Sequence, residues 1–97
     1  MARQVVWSGP AEKDRKQILA YWVERNGSPA YSIKLFGRFN GVLGSLQKNP
    51  YRGRPSDIPG IRVLVVDAYL VFYEVMADAI VIHHIWHSKR DLTKLKF

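Results

Sequence analysis

The sequence has 97 residues, of which 47% are hydrophobic and 24% are charged, so we expect one folded domain over residues 1–97 rather than two. Its 15 Lys and Arg outnumber 8 Asp and Glu, and the net charge of +7 favours a polyanionic partner such as nucleic acid, an acidic protein or a membrane surface. The absence of cysteine excludes disulfides and thiolate metal sites.

The ends and the apolar segments bear on the cellular compartment. Residues 1–4 lack the apolar run of a signal peptide. The most apolar region, residues 61–86, is interrupted by four charged side chains, so no uncharged stretch reaches the roughly 18 residues that a membrane span needs. We therefore expect a cytoplasmic protein without a membrane partner.

The chain opens with a predicted strand and a predicted helix. Residues 3–7 are short and rich in Val and Trp, which is typical of a strand. Ser8 or Gly9 then caps a helix with Pro10 in its first turn, and Asn26-Gly27 ends it.

A second helix is predicted from Ser28-Pro29, with Ser28 as the cap, to the residue before Asn49-Pro50. The short connection makes the two helices an antiparallel hairpin. The second helix carries a stripe of small residues on the side opposite its large apolar residues: Ala30, Gly37, Gly41 and Gly44. We favour tight packing of this stripe against the first helix, and the alternative is a groove for a partner's helix.

The second half predicts a loop, a sheet and a terminal helix. Residues 50–60 contain three prolines and two glycines and are predicted to be loop throughout. Segments 61–67, 69–76 and 79–86 are rich in β-branched and aromatic residues, and their two-residue connections predict an antiparallel meander. Residues 88–91 (SKRD) match a capping box, so Ser88 should start a short helix whose apolar edge is Leu92, Leu95 and Phe97. The fold class is therefore α+β, a helical hairpin packed on a twisted sheet that the N-terminal strand joins.

All three histidines lie in residues 82–87 (IHHIWH). On a strand, His83 and His84 face opposite sides, and His83 and His87 are roughly 13 Å apart, so we predict no metal site and no cofactor. His87 ends the strand and is a candidate general base, because imidazole titrates near neutral pH. The simpler alternative is a hydrogen bond at the start of the next helix.

Two cationic groups are candidate anion contacts. Lys89 and Arg90 stand in the first turn of the predicted terminal helix, where cations oppose the helix dipole, so they indicate a phosphate or another anion. The second group is Arg52, Arg54 and Arg62, with Tyr51, Tyr69 and Tyr73 available for stacking or hydroxyl contacts. Solvated surface residues remain the alternative for each cation.

Taken in order, five segments resemble the RelE/ParE superfamily of toxins from type II toxin–antitoxin modules. They are residues 5–8 (VVWS), 50–54 (PYRGR), 59–62 (PGIR), 69–75 (YLVFYEV) and 82–91 (IHHIWHSKRD). The resemblance covers essentially the whole chain and implies the fold described above. It also implies a growth-arresting toxin that a cognate antitoxin wraps and neutralises, with Gly37, Gly41 and Gly44 as candidate antitoxin contacts.

The superfamily implies two different activities. RelE-like members cut mRNA in the ribosomal A site, whereas ParE-like members inhibit DNA gyrase. A variant nuclease site here would use His87 as general base with Arg62, Tyr73 and Lys89. However, the position where RelE-like nucleases carry a catalytic arginine holds Leu70, which cannot stabilise a transferring phosphate.

We therefore favour the ParE-like branch, a toxin that inhibits gyrase and contacts its target through Arg52, Arg54, Lys89 and Arg90. The alternatives are a RelE-like ribosome-dependent mRNA endonuclease and a non-toxic basic module that binds nucleic acid. Whether the chain is an enzyme stays open at this point. If it is one, it is an endoribonuclease.

Overall fold

Two helices pack on one face of a five-stranded sheet in the computed structural model, which describes residues 3–95. The elements in chain order are β1 (Gln4–Trp7), α1 (Gly9–Asn26), α2 (Ala30–Lys48), β2 (Arg54–Pro55), β3 (Arg62–Val66), β4 (Tyr69–Val75), β5 (Ala79–His87) and a 3-10 turn (Leu92–Lys94). The predicted α+β class is confirmed. Within the described residues, neither helix is long and apolar enough to cross a membrane.

Helix α1 starts and ends at its predicted signals. The Ser8 hydroxyl accepts a hydrogen bond from the Ala11 N–H at 3.1 Å, and Pro10 lies in the first turn. Gly27 ends the helix with φ +64°, a left-handed conformation that costs glycine little.

Helix α2 starts one residue later than predicted. Its cap residue is Pro29 instead of Ser28, and the Pro29 carbonyl accepts from the Ile33 N–H at 2.9 Å. The Ser28 hydroxyl still accepts from the Ala30 N–H at 3.2 Å, so it satisfies a backbone donor at the helix start from just outside it.

The sheet order is β1-β5-β4-β3-β2. Strands β3, β4 and β5 form the predicted antiparallel meander, whereas β1 joins β5 in parallel, with Trp7 opposite Ile82. The prediction that residues 50–60 are loop throughout is wrong, because Arg54 and Pro55 pair with β3 as the edge strand β2. A two-residue strand is too short to leave a periodic pattern, and an edge is the place where proline is tolerated.

A β-bulge interrupts β5. Phe72 pairs with His84 but Tyr73 pairs with Ile82, so His83 is an extra residue in the ladder. Ile82 and Ile85 consequently both lie in the helix-side core, although strict alternation would put them on opposite faces. The predicted opposite orientation of His83 and His84 assumed uninterrupted alternation, and it stays a prediction because the bulge lies at these residues.

The apolar residues form two clusters, one on each face of the sheet. The main core lies under the helices and includes Leu35, Phe39, Leu43 and Leu46 from α2. The other face of the sheet, called the outer face below, carries a smaller cluster of four buried residues with two partly buried neighbours: Ile61, Val63, Phe72 and Trp86, with Leu70 and Leu95.

The glycine stripe of α2 does not pack against α1, so that prediction is wrong. A Cβ atom built on Gly37, Gly41 or Gly44 would meet nothing within 4 Å. Because the large apolar residues of α2 face the sheet, Gly37 and Gly41 face away from it, whereas Gly44 borders a groove beside β1. The helices instead meet through the rings of Trp22 and Tyr31, whose centroids are 5.0 Å apart.

The predicted capping box at Ser88 is also wrong. Strand β5 runs through His87, and the Ser88 N–H donates to the Ala68 carbonyl at 2.8 Å. The cap is Asp91, whose carboxylate accepts from the Thr93 N–H at 3.0 Å and from the Thr93 hydroxyl at 2.7 Å. These bonds lower the pKa of Asp91. Phe97, the predicted end of the apolar edge, lies outside the described residues.

Candidate functional site

The predicted catalytic residues lie at two ends of one strand. Tyr69 pairs with His87 at one end of β4, and Arg62 pairs with Tyr73 near the other. Four residues of a strand span roughly 13 Å. The structure therefore brings Arg62 and Tyr73 together but does not bring His87 to them.

Tyr73 anchors the segment before β2. Its side chain is fully buried, and its hydroxyl donates to the Pro50 carbonyl and accepts from the Gly53 N–H, each at 2.9 Å. A Cβ on Gly53 would lie 2.7 Å from this hydroxyl and 2.7 Å from the Val63 carbonyl oxygen, so only glycine allows the approach. The geometry of Tyr73 is that of a positioning residue.

Arg62 holds the same segment. Its Nε donates to the Gly53 carbonyl at 3.0 Å, and one Nη donates to the Tyr51 carbonyl at 3.2 Å. The guanidinium also lies 5.3 Å from the centre of the Tyr51 ring. Most of the donor capacity of Arg62 is thus used within the chain.

The other predicted cations are exposed. Arg52 donates to the Ser45 hydroxyl at 2.7 Å, and Arg54 opens the edge strand β2. Lys89 and Arg90 precede the 3-10 turn instead of starting a helix, so the predicted helix N-terminus around them is absent among the described residues. Arg90 places its guanidinium 3.6 Å from the centre of the Trp86 ring, a cation–π contact.

His87 has a defined tautomer. Its Nδ1 accepts from the Lys89 backbone N–H at 3.1 Å, so the proton of the neutral ring lies on Nε2. The ring meets Tyr69 edge to face, with the centroids 5.3 Å apart. This hydrogen bond, which follows the end of β5, is of the kind expected if His87 has only a local structural role.

His87 and Arg90 border a cleft of about 470 Å³ between α1 and the ends of β4 and β5. We call it the α1 cleft, and the residues that line it are Asp14, Gln17, Ile18, Tyr21, Trp22, Arg25, Tyr69, Ile85, His87 and Arg90. The Trp22 indole N–H donates to the Tyr69 hydroxyl at 2.7 Å. Burial raises the pKa of Tyr69 in spite of this bond.

The sequence reasoning missed the α1 part of this cleft. It treated α1 only as a packing helix, yet Gln17, Tyr21 and Arg25 recur every four residues on one helical face. An exposed aromatic residue one turn before an arginine was the available signal.

Asp14 ties α1 to the sheet, which the sequence did not reveal. Its Oδ2 accepts from the Ile85 N–H at 3.1 Å and contacts His84 Nδ1 at 3.0 Å. His83 contacts Glu74 at 3.0 Å. Over residues 3–95, no three His, Asp or Glu side chains gather as a metal-binding group.

The exposed face of α2 combines open glycines with apolar side chains. Ile33 is 68% exposed and Phe36 is 41% exposed, and both belong to the helix that carries Gly37, Gly41 and Gly44. Ile33, Gly37, Gly41 and Gly44 form one side of the helix, called the α2 face below, which offers a partner an apolar anchor and a close backbone approach. Phe36 lies towards α1, with its ring 5.7 Å from the Arg15 guanidinium.

Comparison with solved structures identifies 13 similar chains, and three of them come from toxin–antitoxin complexes or systems. A chain of the chromosomal ParDE system of P. aeruginosa is 25% identical, with a TM-score of 0.79 over 91% of this chain and 98% of that one. A chain of the RelBE2 complex of Mycobacterium tuberculosis is 17% identical, with a TM-score of 0.61 over 90% and 99%. A chain of the E. coli DinJ–YafQ complex is 11% identical, with a TM-score of 0.55 over 90% and 93%. The last two likenesses concern the fold alone.

The family follows from the sequence itself. Comparison with curated protein sequences gives no match. The model of the ParE toxin family of type II toxin–antitoxin systems, in contrast, matches residues 5–92. Both helices, the strands except Gln4 of β1, and the start of the 3-10 turn fall within that range. The chain therefore belongs to the ParE toxin family.

Proposed function

We propose that this chain arrests growth in the cytoplasm by inhibiting DNA gyrase and that a cognate antitoxin neutralises it. The choice of gyrase as the target rests on the residues that occupy the outer face of the sheet. Leu70 stands where RelE-like nucleases carry an arginine, and it packs with Val63, Phe72 and Trp86. A leucine side chain offers no donor to a phosphate in a transition state, which favours the gyrase reading over the nuclease.

The positions of the polar candidates support the same choice. A nuclease needs its base and its phosphate-binding groups within hydrogen-bond reach of one substrate. His87 lies at the other end of β4 from Arg62 and Tyr73, and the Tyr73 hydroxyl is occupied by Pro50 and Gly53.

The gyrase contact that we propose lies on the outer face. Segments 54–58 and 92–95 line one pocket of about 260 Å³ there, together with Val63, Leu70 and Phe72. Arg54 stands at its rim, and Arg52, Lys89 and Arg90 are exposed nearby in sequence. Asp57 also lines the pocket, so the attraction for a protein surface with an apolar anchor among acidic residues comes from the neighbouring exposed cations.

The antitoxin contact that we propose is the α2 face. Ile33 supplies apolar area, and Gly37, Gly41 and Gly44 let the backbone of a partner helix come close. The net charge of +7 adds attraction for an acidic antitoxin segment.

A gyrase supercoiling assay with the purified chain tests the target. We expect loss of supercoiling, and induction in cells should give growth arrest with DNA damage and intact mRNA. Replacing Arg52 and Arg54 by Gln should weaken inhibition about tenfold or more, since each charge-assisted contact contributes about 1.5–3 kcal/mol. The matched control replaces Lys13 and Lys16, which are exposed on α1, and removes the same charge.

Three outcomes would contradict the proposal. Rapid codon-dependent cleavage of mRNA would establish the RelE-like endonuclease instead. A folded chain that binds nucleic acid without arresting growth would be the non-toxic basic module. Equal loss of inhibition in the lysine control would show that only net charge matters.

Co-expression with the antitoxin tests the α2 face. We expect a small adjoining gene to encode this antitoxin, whose tail should be acidic. Gly41→Gln should leave growth arrest intact and abolish neutralisation, because a side chain there blocks the close approach. Gly9→Gln is the matched control, since its glycine has equally open surroundings at the start of α1. Neutralisation of Gly41→Gln as efficient as that of the control would refute the assignment of this face.

A further inference from the structure

The α1 cleft has the dimensions and lining of a small-molecule site, and of its lining residues only Arg90 also belongs to a contact proposed above. Its volume of about 470 Å³ lies within the range of about 300–1,000 Å³ that is usual for ligand pockets. Ile18 and Ile85 supply apolar walls, and Trp22 supplies an aromatic one. The remaining lining residues carry polar groups.

The charged lining residues of the cleft favour an anion. Arg25 and Arg90 both line it, and His87 presents an Nε2–H, because its Nδ1 already accepts from the backbone of Lys89. Asp14 is the one carboxylate among the described lining residues, and its Oδ2 is engaged by the Ile85 N–H and by His84. Two guanidinium groups and an imidazole N–H suit a phosphate.

The rest of the cleft suits a flat aromatic ring. Tyr21 is 52% exposed, and its ring meets Trp22 edge to face with the centroids 5.1 Å apart. The indole N–H of Trp22 is satisfied by the Tyr69 hydroxyl, so ring surface rather than an open donor faces a ligand. Nucleobases stack on such rings with little dependence on base identity.

We propose that the α1 cleft binds a nucleoside monophosphate, with the base against Tyr21 and Trp22 and the phosphate between Arg25 and Arg90. The distance along α1 supports this arrangement. Tyr21 and Arg25 are one helical turn apart on the same face, so the ring and the cation are about 5–6 Å apart at their Cβ atoms. A base and its phosphate, joined through one ribose, can reach both.

Calorimetric titration of the purified full-length chain tests the proposal, with AMP, ribose 5-phosphate and inorganic phosphate as the three probes. We expect saturable one-to-one binding of AMP and affinities about tenfold or more lower for the two probes without a base, because stacking contributes about 1–3 kcal/mol. Absence of saturable AMP binding would overturn the proposal. Equal affinity for ribose 5-phosphate would overturn the base site.

Charge-matched variants locate the phosphate. Arg25→Gln and Arg90→Gln should each raise the Kd for AMP about tenfold or more through loss of charge-assisted hydrogen bonds. Lys16→Gln removes the same charge from an exposed position of α1 outside the cleft, and it should change the Kd by less than about twofold because salt screens distant charges. Equal weakening in all three variants would overturn the proposal in favour of general electrostatic attraction. Tyr21→Ala should weaken AMP but not inorganic phosphate, and thermal melting checks that each variant is folded.

Discussion

Replacing Tyr73 by Phe removes one hydroxyl from the interior and leaves the ring in place. The Gly53 N–H loses its acceptor and the Pro50 carbonyl loses its donor, both of which are 2.9 Å from the hydroxyl now. A buried group without a partner costs about 1–3 kcal/mol. Gly53 is buried, whereas Pro50 is half-buried and can recover water, so we expect a total loss of about 2–3 kcal/mol.

That loss is large for a domain of this size. The whole free energy of unfolding is typically about 5–15 kcal/mol, and each kcal/mol shifts the Tm of such a domain by about 4–8 °C. We therefore expect the Tm of Tyr73→Phe to fall by about 10–20 °C. Urea unfolding and thermal melting, both followed by circular dichroism, measure the change.

Tyr51→Phe is the matched control. Its ring is 59% exposed, so loss of its hydroxyl should change the free energy of unfolding by less than about 0.5 kcal/mol. A similarly small change in Tyr73→Phe would refute the anchoring role. Below its Tm the variant should still arrest growth. A folded, stable Tyr73→Phe chain that no longer does so would restore Tyr73 as a residue that acts on the target.

Three further substitutions test the packing around the sites. Gly53→Ala should cost about 1–3 kcal/mol or more in urea unfolding, and Tyr73→Phe should not rescue it, because the Val63 carbonyl also lies 2.7 Å from the new Cβ. Asp14→Ala should cost about 1–3 kcal/mol in the same assay and speed hydrogen exchange at the β5 N–H that Asp14 holds. Tyr69→Phe should remove an alkaline decline in stability. Burial raises the Tyr69 pKa above 10.0, so the neutral phenol stabilises the native state below that pH, and this contribution is lost as pH rises through the native pKa. Urea unfolding of both chains between about pH 9 and pH 11 checks the difference.

The parts of the fold that were predicted correctly depend on short-range signals. Ser8 and Gly27 bound α1 because a cap hydroxyl and a left-handed glycine act within one helical turn. The meander was predictable because its connections are too short for anything except antiparallel neighbours.

The parts of the fold that were not predicted depend on contacts between residues that are far apart in the sequence. Strand β1 pairs with β5 across more than seventy residues, and nothing in residues 4–7 specifies a parallel partner. The bulge at His83 is set by the register between β4 and β5, which local periodicity does not report. The spacing of the glycines identified the stripe on α2, but it did not determine which neighbouring element the stripe would face.

The register between β4 and β5 sets the separation of His87 from Tyr73. Both side chains lie on the helix side of neighbouring strands. Their residue types alone suggested that they could act together in one catalytic site. Their register places Tyr73 opposite Ile82 and His87 opposite Tyr69. Tyr73 is consequently enclosed by its own chain, whereas His87 opens into the α1 cleft. His87 therefore cannot act with Arg62 and Tyr73 on one scissile bond, because the three side chains do not reach a common substrate atom.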